Sequence, residues 1–334
     1  MKFGVLQFFS WPGRRIALPE VYRRALERIA IMDANGYDCV WLAEHHFTTY
    51  SVCPSIHLMA MHVADRTRNL RIGTGVSLAA LYHPLRLAEE VALLDVLSGG
   101  RVNWGAGRGF DPGEFAAFGV PEAESQERFR EAVEIVLAAW RDERLNWSGK
   151  HWQFRDVEVL PKPLQQPHPP TWMAASSPPA IEWAGSRGHS IMLDPHCDRA
   201  DLGVKRRLYL DVLACHGHSA EGRDLPMARL IAVAKTEAEA RRVAAQGAAW
   251  TVSAYANKDN AGRAIDAGRL AMTAVDEDPV ERYVREVMIQ GTPAQVVDQI
   301  QALREQVGLD YLLCAPVSHE SFLLLTEQVL PRFR

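Results

Sequence analysis

Eight short, strongly apolar runs separated by longer amphipathic stretches restrict this chain more than any other feature of its sequence. The runs are Phe3–Phe8, Asp38–Ala43, Leu70–Val76, Arg101–Ala106, Thr171–Ala175, Ser190–Leu193, Ala228–Ala234 and Tyr311–Ala315. Several are almost continuously apolar, as parallel strands covered on both faces are. Between them, Val21, Ala25, Ile29 and Met32 share one helical face, with Gly36 as a C-terminal stop. Leu87, Val91 and Leu94 repeat the pattern before Gly99-Gly100, and Phe129, Val133, Val136 and Trp140 repeat it again. Val296, Ile300, Leu303 and Val307 form a last stripe closed by Gly308, with Thr292 as N-cap and Pro293 at the first helical position. Strands alternating with helices predict an α/β fold, and the count of eight favours a (β/α)8 TIM barrel. The rival, an open doubly wound sheet, usually carries a G-x-G-x-x-G turn after its first strand; Phe9-Ser10-Trp11-Pro12-Gly13 does not match it.

A length of 334 residues suits one such barrel spanning 1–334, with two insertions. Two short alternating runs around Ser148-Gly149-Lys150 predict a β-hairpin over 145–156. Prolines at 161, 163, 167, 169 and 170 then form an extended connector. Residues 250–278 are polar and weakly periodic, which predicts a lid-like excursion.

Composition excludes several classes. A formal charge of −4 offers no basic surface for nucleic acid or an anionic membrane. No apolar run approaches the roughly 20 residues of a membrane span, and the first residues read as a strand rather than a signal peptide. Cys39, Cys53, Cys197, Cys215 and Cys314 are odd in number and scattered without a CxxC pair. Free thiols in a reducing cytoplasm are therefore expected, with no zinc-thiolate site.

In a barrel, chemistry collects after the C-terminal ends of the strands. After the second comes Glu44-His45-His46-Phe47. A histidine there is a general base or substrate clamp, or the three ionisable residues form a hydrogen-bonded structural cluster. The neighbouring His57, His62 and His83 have no zinc-enzyme spacing, so no metal is expected. After the third strand, Gly75 either lets a flat ring pack on the backbone or makes room in the core. After the fourth, Gly107-Arg108-Gly109-Phe110 offers a phosphate-gripping arginine or an ordinary turn. After the fifth, Ala175-Ser176-Ser177-Pro178 opens a helix whose free N–H groups suit an anion, unless Ser177 merely caps it. Two phosphate-friendly turns on successive strands suggest a phosphorylated cofactor. Trp11 lines a substrate cavity or belongs to the core. No nucleophile elbow, Walker loop or base-activated cysteine is present.

Taken together, these residues resemble the bacterial luciferase-like, flavin-dependent monooxygenases. The resemblance begins with Trp41-Leu42-Ala43-Glu44-His45-His46-Phe47. It continues through Leu85–Glu90 and Leu94–Arg101, then Gly107-Arg108-Gly109 with Glu114-Phe115 and Phe118-Gly119. Ala174–Ser177 and Gly291-Thr292-Pro293 follow in the same order. The resemblance implies a (β/α)8 barrel that uses reduced FMN, supplied by a separate flavin reductase, and O2 to oxygenate a small organic substrate through a water-shielded flavin hydroperoxide. It makes His45 the catalytic histidine, with Glu44 beside it. It gives Arg108, Ser176 and Ser177 to the phosphate, Gly75-Val76 to a backbone step, often cis, under the flavin ring, and Glu114 to a carboxylate near the flavin. Gly107 and Ala175 adjoin the cofactor, and Trp11, Phe47 and Phe110 line the substrate pocket. Light-emitting luciferases carry cysteine where Gly107 stands and glutamate where Ala175 stands. Gly107 is thus expected to widen the space beside the ring, and the chain to be a general monooxygenase. A homodimer built on first-half helices is also implied. A deazaflavin-dependent dehydrogenase on the same barrel and a non-catalytic flavin-binding protein are the alternatives.

Overall fold

The structure, a computed structural model, describes residues 1–193, 195–256 and 278–334. Its strands in chain order are β1 (Lys2–Gln7), β2 (Cys39–Leu42), β3 (Arg71–Thr74), β4 (Ser77–Leu78), β5 (Val102–Gly107), β6 (Leu145–Ser148), β7 (Gln153–Val157), β8 (Thr171–Ala174), β9 (Ser190–Met192), β10 (Pro226–Val233), β11 (Ile289–Gly291) and β12 (Tyr311–Pro316). The α-helices are α1 (Leu18–Ala34), α2 (Ile56–Arg66), α3 (Pro84–Leu97), α4 (Pro112–Ala117), α5 (Glu122–Arg141), α6 (Pro178–Ser186), α7 (Arg199–Cys215), α8 (Glu237–Ala256), α9 (Pro279–Glu286), α10 (Pro293–Val307) and α11 (His319–Leu324). All eight expected strands form. The additional β4 and β11 are too short for alternation to be legible in sequence.

The chain divides into two compact units. One comprises Phe8–Asp33 and Val40–Ala174. In it β3, β5 and β8 run parallel, with Ile72 opposite Val102 and Trp104 opposite Thr171. β4 continues along β5, placing Ser77 opposite Ala106 and Leu78 opposite Gly107. The predicted faces of α1, α3 and α5 are buried. Trp41 is fully buried, and a Cβ on Gly73 would lie 2.4 Å from its ring, so that strand position admits only glycine. The predicted hairpin is β6–β7, antiparallel, with Trp147 opposite Phe154. Glu131 of α5 anchors it by accepting from Trp147 Nε1 and from the backbone N–H groups of His151 and Trp152.

The second unit comprises Met1–Gln7, Ala34–Cys39 and Ala175–Arg334. β12 pairs in parallel with β1 on one side and β10 on the other, and β10 pairs with β11. Leu193, just past β9, bridges to Met227 of β10. Val296, Ile300 and Leu303 of α10 are buried as the stripe predicts, and Gly308 ends that helix with a left-handed φ of 67°. Arg229 is fully buried and donates to the carbonyls of Pro195 and Cys197, fixing the loop after β9.

The 250–278 excursion needs correction at its start. Residues 250–256 complete α8, and Asp278 caps α9 through Val280 N–H. Alanine-rich composition carries the helix further than its weak apolar period suggests. The remaining 257–277 lie outside the described residues, and so does the expected lid. Among the described residues no helix is long and apolar enough to cross a membrane.

Candidate active site

The turn after β2 separates its three ionisable residues into two roles. Glu44 is buried, and its carboxylate is fully engaged. Oε1 accepts from Tyr82 Oη at 2.7 Å and lies 3.0 Å from His46 Nε2, while Oε2 accepts from Leu78 N–H at 3.1 Å. A buried carboxylate with three partners is the hydrogen-bonded arrangement that the cluster reading describes for Glu44 and His46. Tyr82 is held protonated by burial first and by Glu44 second.

His45 turns the other way. Its ring meets Tyr50 edge-on at 5.1 Å and Phe110 at 5.8 Å between centroids, and Phe8 stacks at 6.3 Å. Nδ1 stands 3.7 Å from Glu114 Oε1, and that same oxygen accepts the backbone N–H of His46 at 2.8 Å. No described residue hydrogen-bonds His45 Nε2. An imidazole in an aromatic setting, with a buried carboxylate behind one nitrogen and the other unclaimed, suits a general base or a clamp. Glu114 sits on the short helix α4, whose N-cap Asp111 accepts Gly113 N–H at 2.7 Å. Burial raises the Asp111 carboxyl above its ordinary value.

Residues 75–78 form the next edge. The Gly75–Val76 peptide is cis, and Gly75 N–H donates to Leu42 O at 2.7 Å. The expectation that Gly107 widens the adjoining space is overturned. A Cβ at Gly107 would lie 2.5 Å from Val76 Cγ2, because Val76 already fills that notch. Arg108 donates to Ser125 Oγ at 3.0 Å, and its guanidinium lies 5.7 Å over the Phe115 ring, half-buried. Such a guanidinium is oriented before any anion arrives.

One of the predicted pocket residues, Phe47, is placed differently from expectation. Trp11 donates from Nε1 to Ile16 O with the Arg14 guanidinium over its ring, and its backbone N–H donates to Thr49 O at 2.9 Å. Phe47 has a left-handed φ of 57°, is 67% exposed and packs on Phe118. Phe110 is the member of the set beside His45.

In the second unit, α6 begins after Ser176-Ser177. The predicted array of free N–H groups is absent. Pro178 and Pro179 have none, and those of Ala180 and Ile181 both go to Ser177 O at 3.0 Å. Ser177 makes no side-chain cap either. What this turn offers an anion is the pair of serines, the Ser177 hydroxyl being exposed; Ala175 is buried beside them.

Sequence reasoning missed Phe8, Tyr50 and Tyr82, single aromatics in loops with no period to mark them. It also missed the network joining Ser77, His57 and Glu90. All five cysteines are free thiols. Cys53, the one nearest this turn, is pushed up to about 12 by burial and then by Glu44, so it is no nucleophile. Among the described residues no group of three or more His, Cys, Asp or Glu suits a metal ion.

The sequence model of the luciferase-like monooxygenases matches residues 1–311. The oxygenase component of the flavin-dependent trigonelline monooxygenase of Acinetobacter baylyi is 28% identical over 322 residues, covering 93% of this chain and 87% of that one. The monooxygenase RslO1 from Streptomyces bottropensis superposes with a TM-score of 0.85 at 29% identity, over the full length of both chains. The FMN complex of the oxygenating constituent of 3,6-diketocamphane monooxygenase from Pseudomonas putida, a type II Baeyer-Villiger monooxygenase, shares the fold with a TM-score of 0.82 at 20% identity, covering 99% and 98% of the chains. Its α/β architecture is the TIM-barrel-type fold of these proteins. With the family's sequence model matching residues 1–311 of its 334, this chain belongs to the luciferase-like monooxygenase family.

Proposed function

We propose that this protein is the oxygenase component of a two-component monooxygenase, which takes reduced FMN from a separate flavin reductase and uses O2 to oxygenate a small organic substrate. The observation that carries this reading is His45: ringed by Phe8, Tyr50 and Phe110, backed by Glu114, with Nε2 unclaimed. The donor chemistry fits a flavin phosphate. Arg108 supplies an oriented cation; Ser176 and Ser177, taken by themselves, are hydroxyl donors assigned to the cofactor by the sequence resemblance alone. Gly75-Val76 is assigned to the ring, with Gly107 adjoining, and Ala175 is assigned to the cofactor by the sequence resemblance. Bound reduced FMN would supply the electrons that activate O2. His45 then takes or holds a proton at Nε2, Glu114 orients its ring, and the surrounding aromatics keep water from the reacting atoms. Glu44 fixes the turn and does not itself react.

We also assign a homodimer to the α2–α3 face, a cytoplasmic location on the strength of the free thiols, and a single functional barrel over 1–334. The support for the dimer is apolar exposure: Leu58 on α2 is 75% exposed, and Leu97 on α3 is 58% exposed beside Leu93 and Val96.

The test is an anaerobic titration with photoreduced FMN followed by admission of O2 with rapid absorbance recording. Tight binding of reduced FMN and reoxidation much slower than in buffer are expected. Reduced FMN that stays free overturns the reading. Preference for a deazaflavin moves the chain to a dehydrogenase, and binding with no substrate-dependent O2 uptake makes it a flavin carrier.

A further inference from the structure

We infer that His57 and Glu90 are positioning residues for the 75–78 edge, acting through the buried hydroxyl of Ser77. His57 lies on α2 and Glu90 on α3, and no sequence motif links either to the strand they serve. His57 Nδ1 is 3.0 Å from Glu90 Oε2, and Nε2 is 3.1 Å from Ser77 Oγ. Arg86 holds the other Glu90 oxygen at 2.7 Å. A carboxylate only accepts, so the network assigns the proton to Nδ1. With the Nδ1 proton directed at Glu90, Nε2 is left to pair with the Ser77 hydroxyl, and each member of the chain of three has a partner.

Carboxylate, imidazole and hydroxyl at these separations have the form of an acyl-transfer triad. Burial excludes that use: Ser77 is fully enclosed and its backbone is paired in β4. The output of the relay is therefore the placement of Ser77. Ser77 follows Val76, whose side chain abuts Gly107, and precedes Leu78, whose N–H is held by Glu44. Two separate carboxylates thus grip adjacent residues of one short edge, Glu44 directly and Glu90 through His57. In a buried site an unmet hydrogen bond is costly, so this grip sets where Val76 sits.

The inference rests on the reading above for what lies against Val76, namely the flavin ring. Two substitutions separate the ends of the imidazole. Glutamine reaches as far as Nε2, so H57Q keeps an acceptor for Ser77 and loses Glu90. Asparagine reaches only Nδ1, so H57N keeps Glu90 and abandons Ser77. Affinity for oxidised and for reduced FMN is measured by fluorescence and absorbance titration, alongside urea unfolding of the ligand-free proteins. H57N is expected to bind FMN about tenfold more weakly, the worth of one buried hydrogen bond, and H57Q as wild type does. S77A, which removes one oxygen and keeps the fold should H57N lose it, is expected to match H57N, with the double variant no weaker than either. Wild-type affinity in both H57N and S77A overturns the inference alone. Equal losses in H57Q and H57N overturn it too, since a merely structural histidine gives that result. A wild-type protein that binds FMN in neither redox state overturns the flavin reading, and the inference with it.

Discussion

Glu114 Oε1 stands 3.7 Å from His45 Nδ1 while accepting the N–H of His46 at 2.8 Å. One carboxylate oxygen therefore holds the backbone of the histidine turn and stands behind the His45 ring. H45A is expected to keep FMN affinity and lose about 10²- to 10⁴-fold in substrate oxygenation, the range of a positioned acid or base. E114Q keeps the bond to His46 and removes the charge, so its loss is smaller and of the same kind. Steady-state oxygenation beside flavin titration separates the two effects; unchanged turnover in H45A removes His45 from the chemistry.

Glu44 behaves as a clamp. E44A strands the Tyr82 hydroxyl, the Leu78 N–H and His46 in a buried place, and is expected to lower stability by about 3–5 kcal/mol. Urea unfolding measures it. A stable E44A protein that has lost only turnover would restore Glu44 to the reaction.

Glu90 gives stability a pH signature. Its carboxyl is held down to about 2, first by the bond from His57 and then by Arg86, against an ordinary value of 4.5. A group depressed on folding stabilises above its unfolded pKa, and that contribution fades as pH falls from about 4.5 to 2. The unfolding free energy of wild type is expected to fall more steeply across this window than that of E90Q. Parallel curves would show the Glu90 contacts to be without weight in solution.

Gly107 and Val76 interlock. G107A forces a Cβ to within 2.5 Å of Val76 Cγ2 and is expected to lose about 1–3 kcal/mol by overpacking. V76A in the same chain relieves most of it, so the pair is strongly non-additive in a double-mutant cycle of unfolding free energies.

The α2–α3 face is tested by charge. Should the proposed dimer form, L58E together with L97E is expected to convert it to a folded monomer in sedimentation equilibrium, with secondary structure intact by circular dichroism. A wild-type monomer would leave those leucines without the proposed occupant.

Periodic features were legible in the sequence. The stripes Val21–Met32, Leu87–Leu94, Phe129–Trp140 and Val296–Leu303 are buried as their spacing requires, because one helical period records one neighbouring face. The eight strands were legible for a different reason: parallel strands covered on both faces read as short, nearly continuous apolar runs. The division of labour between Glu44-His46 and His45 was not, since adjacent residues on an irregular turn point apart with no period to say which way. Gly107 was misread because its neighbour, Val76, comes from another part of the chain. Pro178 and Pro179 were in plain view; that proline lacks an N–H already forbids the donor array expected at α6. The Ser77–His57–Glu90 network joins three elements and leaves no local trace at all.

The interlock of Val76 with Gly107 also orders history. A lineage descending from this sequence enlarges residue 107 at less cost once residue 76 has become smaller, because the reverse order passes through the overpacked pair. The two positions are thus expected to change in a preferred order, and a reconstructed ancestor carrying a side chain at 107 is expected to carry a smaller residue than valine at 76.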